Sequence, residues 1–112
     1  MVQGEIIKQN DVIKLLQAYV RLLNEAGLKI YKAFLFGSYA RNEARNFSDI
    51  DVLLVSEKFD CNDIEERVKP WYYTSNIDVR IEPVSVGLKH FLSDNDSALV
   101  DEVKREGIEI VI

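Results

Sequence analysis

Apolar positions change their period several times along the chain, and each change marks an element. Val12, Ile13, Leu15, Leu16, Tyr19, Val20 and Leu23 recur at helical spacing, with Asn10-Asp11 suited to start the helix. Gly27 suits a left-handed cap at its end. Lys29 to Phe36 is rich in aromatic and branched residues and reads as a strand that Gly37 breaks. Ser38 then suits the cap of a short helix through Ala40 to about Ala44, before a polar loop over Arg45 to Ser48. Asp49 to Val55 is the second strand. A helix over Asp60 to Val68, capped by Asp60 or Asn62, ends ahead of Pro70. Ile77 to Glu82 alternates apolar and polar residues as a third strand would, and Pro83 closes it. A last helix runs from about Asp96 to Arg105, Gly107 stops it, and Ile108 to Ile112 forms a short terminal strand or a packed tail. This order predicts a small sheet covered by helices.

The 112 residues fit one domain, residues 1–112, with a single core, and no stretch reads as a linker. A hydrophobic content of 47% supports a packed globule over a disordered segment. No apolar run is long enough to span a bilayer, and MVQGEIIKQN lacks the basic and apolar regions of a signal peptide. Cys61 has no second cysteine to pair with, in keeping with a cytoplasmic protein. Against 14 basic residues stand 19 acidic ones, a net charge of −5. That balance argues against general nucleic-acid binding, whose affinity rests on phosphate neutralisation.

Two carboxylates interrupt the second strand. Residues two apart on a strand share a face, with side-chain origins roughly 7 Å apart, so Asp49 and Asp51 face one way while Ile50 and Val52 face the core. Ionised aspartates repel each other unless a cation neutralises them, and a crowded set of oxygen ligands favours Mg²⁺. Asp78, on the next predicted strand, would complete a three-carboxylate cluster able to hold two ions about 4 Å apart for in-line phosphoryl chemistry. Gly37 lets a phosphate approach the backbone, Ser38 offers a hydroxyl, and the N-terminus of the following short helix presents free N–H groups to an anion. Arg41, one helical turn on, can add a charged contact. Together these parts suit a nucleotide triphosphate tail.

Gly37-Ser38, ten intervening residues and Asp49-Ile50-Asp51 resemble the signature of the DNA polymerase beta-like nucleotidyltransferase superfamily. Gly37-Ser38-Tyr39-Ala40-Arg41 with Ser48-Asp49-Ile50-Asp51 is similar to its small prokaryotic branch, the minimal nucleotidyltransferases. The motif covers Phe36 to Val55, and the wider likeness takes in Asp78 and the closing Arg105-Glu106-Gly107-Ile108. Asn42 departs from the pattern, because many members have glycine there. The resemblance implies an α+β fold, a small mixed β-sheet with helices packed mainly on one side. It implies that Asp49 and Asp51 bind two Mg²⁺ ions and that Asp78 binds the catalytic one and helps orient or deprotonate the attacking hydroxyl. Gly37 and Ser38 would hold the β- and γ-phosphates of ATP. The partner it implies is a HEPN-domain toxin, with this chain as the antitoxin that adds AMP to a toxin tyrosine.

Glu82 shares a face with Asp78 and is the alternative third ligand, although its place before Pro83 suits a strand end. Arg80 between them either pairs with a carboxylate or contacts phosphate. With His90 the one histidine, no His-based zinc site can be built, and Cys61 lacks a catalytic partner. Trp71-Tyr72-Tyr73 cannot all face one core, so part of that run forms an exposed patch, for a partner or for adenine stacking. Uncovered sheet edges leave room for a homodimer. The competing reading is a binding module, an antitoxin that occludes its partner while its nucleotide site stands idle. The complete Gly37, Ser38, Asp49, Asp51 and Asp78 set favours the enzyme. Nucleotidylation of small molecules and nucleic-acid polymerisation both call for an acceptor-binding domain that 112 residues do not supply.

Overall fold

A computed structural model of the chain describes residues 7–45, 48–61, 63–93 and 97–112. Helix α1 (Gln9–Glu25) precedes two antiparallel strands, β1 (Lys32–Phe36) and β2 (Ile50–Ser56). Helix α2 (Ile64–Tyr72) carries the chain over to β3 (Ile81–Gly87), which runs directly into α3 (Leu88–Leu92). Helix α4 (Ala98–Glu106) and the short β4 (Ile108–Glu109) follow. The sheet order is β3-β2-β1-β4, with β2 and β3 parallel and the other two pairs antiparallel. A parallel pair needs a crossover, and α2 supplies it. The fold is therefore α+β with a mixed four-stranded sheet, as the resemblance implies. Among the described residues no helix is long and apolar enough to cross a membrane.

β2 lies inside the sheet and is covered on both faces, which is why its sequence is a near-continuous apolar run. Ile50, Val52 and Leu54 join Val12, Leu16, Tyr19 and Leu23 of α1 in the larger core. Leu53 and Val55 point the other way, to Phe91 of α3 and Val100 and Val103 of α4. The heavier helical cover is on the α1 face, and the two short helices close the second. Tyr19 is fully buried and its hydroxyl donates to Pro70 O at 2.5 Å, tying α1 to the end of α2.

Several boundaries differ from those expected, each for a physical reason. The short helix expected through Ala40 to Ala44 is a single turn: Arg41 N–H donates to Gly37 O at 3.1 Å, and Glu43 N–H to Ser38 O at 2.8 Å. Asn42 follows in the left-handed region, at φ 59°. This is the same closing pattern that ends α1, where Gly27 takes φ 91° and Leu28 N–H reaches back to Leu23 O. Asparagine is the residue that best replaces glycine at such a position, so Asn42 serves where glycine would also fit. α2 starts at Ile64, capped by Asp63, whose Oδ1 accepts from Glu65 N–H at 3.0 Å; Asn62 lies outside the described residues. Pro70 sits inside α2 instead of beyond it. It falls two residues from the helix end and is the buried residue of that helix, so packing offsets the lost N–H. Trp71 and Tyr72 are consequently helical and exposed, and Tyr73 is half-buried. α4 is capped by Ser97, and Asp96 lies outside the described residues. The third strand begins at Ile81, not Ile77, and continues through Pro83 to Gly87. An edge strand tolerates proline because its outer side makes no ladder.

Candidate active site

Three strand ends meet at one corner of the sheet. Phe36 at the end of β1 lies beside Asp51 near the start of β2, and Asp51 lies beside Glu82 near the start of β3. Asp49 immediately precedes β2 and lies within hydrogen-bonding reach of Glu82. Asp51 is the one residue of β2 that is not fully buried. It shares a face with Leu53 and Val55, so the carboxylates sit at the margin of the α3–α4 side of the sheet.

Gly37 closes over Asp51. Its φ of 77° is in the left-handed region, and a β-carbon added there would collide with Asp51 Oδ2. Both the conformation and the space therefore require glycine. The turn that follows is anchored from behind: the Tyr39 ring is buried, and Gln9 Nε2 donates to Tyr39 O at 2.8 Å. Ser38, half-buried, begins this turn. The exposed Arg41 guanidinium donates from Nε to Glu43 Oε1 at 3.0 Å, and its charge also reaches Asp51.

The electrostatics separate two kinds of carboxylate. Glu82 is pushed up to about 7, first by its hydrogen bond with Asp49, then by desolvation and by the charges of Asp49 and Asp51. Asp51 is also held above the usual carboxylate range, by burial first and Asp49 second, with Arg41 opposing. These acids repel one another. Asp78 is the reverse case, held below the usual range chiefly by hydrogen bonds from the Arg80 side chain.

Asp78 is expected on the third strand beside Asp49 and Asp51, and this placement is corrected by the structure. Asp78 lies in a turn ahead of β3, where its carboxylate accepts from Arg80 Nε at 3.1 Å and Arg80 Nη2 at 2.8 Å. The residue brought alongside Asp51 is Glu82. The alternation of Ile77, Val79 and Ile81 imitates a strand, yet Val79 is 77% exposed and belongs to no core. Glu82, the alternative third ligand, is the second residue of a strand that passes through Pro83.

A hard divalent ion fits this donor set, because the neighbouring carboxylates raise the proton affinity of Asp51 and Glu82 and a cation would relieve the repulsion. Among the described residues no three His, Cys, Asp or Glu side chains already converge as a chelating group. The residues that would hold such an ion are Asp49, Asp51 and Glu82.

Residues 10–112 match the family described as Polymerase beta, Nucleotidyltransferase, and the chain belongs to that family. No curated protein matches it. Among solved structures it is similar to a Sulfolobus solfataricus protein assigned as a nucleotidyltransferase, at 19% identity and a TM-score of 0.60, covering 96% of this chain and 90% of that one. It is also similar to a chain of a toxin–antitoxin complex with AMP-PNP, at 24% identity and a TM-score of 0.60, covering 94% and 73%. A chain of a mutant MntA-HpeT toxin–antitoxin complex matches at 22% identity and a TM-score of 0.56, again covering 94% and 73%. At these identities the likeness to solved structures is one of fold.

Proposed function

We propose that the chain is a Mg²⁺-dependent nucleotidyltransferase that moves AMP from ATP to a hydroxyl of a partner protein. Its acceptor would be a tyrosine of a HEPN-domain toxin, for which the chain serves as antitoxin. One observation carries the catalytic part: Asp49, Asp51 and Glu82 meet at one corner of the sheet beneath the Gly37 turn, with Glu82 pushed up to about 7 by the crowding. The partner part draws support from the toxin–antitoxin structures of the same fold, one of which holds AMP-PNP.

Mg²⁺ held by these carboxylates would neutralise them and polarise the phosphates. The bare backbone at Gly37 and the Ser38 hydroxyl hold the β- and γ-phosphates, and Arg41 turns from Glu43 to the same anion. The acceptor oxygen forms a bond to the α-phosphorus while the bond to the α–β bridging oxygen breaks. Pyrophosphate leaves with that electron pair, and the acceptor proton passes to the Glu82 carboxylate. Beside the ion Glu82 would be ionised and able to accept this proton. Asp78, already occupied by Arg80, yields the third-carboxylate role to Glu82.

The test incubates the chain and its co-purifying host partner with α-labelled ATP and Mg²⁺, beside the Asp49→Asn/Asp51→Asn double variant. Label on the partner with the unmutated chain alone is the expected result. A partner that stays unlabelled, yet is bound and inhibited by the double variant, would overturn the enzyme in favour of an occluding binder.

A further inference from the structure

We propose that Asp78 is a positioning residue: acting through Arg80, it sets the entrance of the β2–β3 ladder and so the spacing of Asp49 and Asp51 from Glu82. The proposal rests on the reading of those carboxylates as the magnesium and nucleotide site. Asp78 Oδ1 accepts from the Arg80 backbone N–H at 2.8 Å and from Arg80 Nε at 3.1 Å, while Oδ2 accepts from Nη2 at 2.8 Å. Both carboxylate oxygens are engaged, and one residue clamps Arg80 at its backbone and at its side chain. The carbonyl of the same Arg80 accepts from Ile50 N–H at 2.9 Å, and Ile50 stands between Asp49 and Asp51. From that rung the register continues with Ile50 beside Ile81 and Asp51 beside Glu82. A short chain of contacts thus runs from Asp78 through Arg80 to the strand end that carries the carboxylates.

Two features make this clamp more than surface decoration. Its side chains are 17% and 26% exposed, whereas each other ion pair among the described residues has a side chain exposed by 37% or more. Exposed pairs fix little geometry, but a sheltered, forked one can. The clamp also stands at an edge of the sheet, since β3 is held by a neighbour on one side. Asp78 N–H donates to Thr74 O at 2.8 Å and Ile81 N–H to Asp78 O at 3.2 Å, so the backbone of Asp78 also joins the preceding turn to the strand.

The test uses the full chain with Asp78→Asn, Arg80→Gln and the double variant. Amide exchange at Ile50 reads the rung directly and needs no nucleotide. Titration of Mg²⁺ at fixed AMP-PNP, on folded protein, reads the site. Each single variant is expected to speed Ile50 exchange about tenfold and leave Leu53 and Leu54 unchanged. Each is also expected to raise the half-saturating Mg²⁺ concentration about tenfold. The double variant should be no worse than the stronger single, because the two residues act as one unit. Unchanged Ile50 exchange, or uniformly faster exchange along β2, would overturn the proposal. So would loss of Mg²⁺ binding in Asp78→Asn with Arg80→Gln intact, which would make Asp78 a ligand. An Ile50 response in a chain that binds no Mg²⁺–AMP-PNP would uphold the clamp and sink the functional reading alone.

Discussion

Gly37→Ala tests whether the turn over the site is built around Asp51. Two costs are expected from the structure. Alanine at φ 77° pays the left-handed penalty, about 1–2 kcal/mol. Its β-carbon also collides with Asp51 Oδ2, so the carboxylate must rotate away, at about 0.5–1.5 kcal/mol for a side chain driven off its rotamer. The sum is about 2–3 kcal/mol. Only the second cost depends on Asp51, so it should disappear in an Asp51→Ala background. There the nearest remaining side-chain atom, Asp51 Cβ, is 3.4 Å from the added carbon, an ordinary contact. Urea denaturation of the two single variants and the double, in metal-free buffer, gives the coupling. The expected value is about 1 kcal/mol, with Gly37→Ala milder when Asp51 is absent. An equal cost in both backgrounds would refute the packing of Gly37 on Asp51.

Two further outcomes follow from charge and backbone. Glu82 keeps its proton in the folded chain where the unfolded chain has lost it, so metal-free stability should fall as pH climbs from about 4.5 to about 7. Mg²⁺ must displace that proton, so its apparent affinity should be up to about tenfold weaker at pH 6 than at pH 8. Thermal melts with and without Mg²⁺ at the two pH values check both, and equal shifts would contradict the crowded-carboxylate reading. At the Arg41 turn, Asn42→Ala should cost about 1 kcal/mol, because alanine lacks the tolerance of asparagine for φ 59°. Asn42→Gly should stay within about 0.5 kcal/mol of the parent in the same urea assay.

Much of this molecule is legible where local chemistry decides. α1 follows from its apolar period and Gly27 from the left-handed cap, because both are settled within a few residues. The paired aspartates stand out because an apolar strand has no other use for them. What stays hidden depends on partners distant in sequence. Asp78 and Glu82 have near-identical local credentials, and the choice between them is made by the register of β3 against β2. Pro83 reads as a stop only if β3 needs donors on both sides, and its place at the sheet edge removes that need. α3 leaves no pattern of its own, since five residues following directly from a strand are too few to show a period.

The position of the carboxylates relative to the sheet edge has a mechanical consequence. Asp51 rides on the strand gripped from both sides, with Asp49 directly ahead of it, whereas Glu82 rides on the outermost one. The corner therefore has a stiff jaw and a compliant jaw. An ion gripped between them would act as a rivet at the edge of the sheet, lending β3 a firmness that its single ladder does not provide. Catalytic readiness and the order of the outer strand would then rise and fall together.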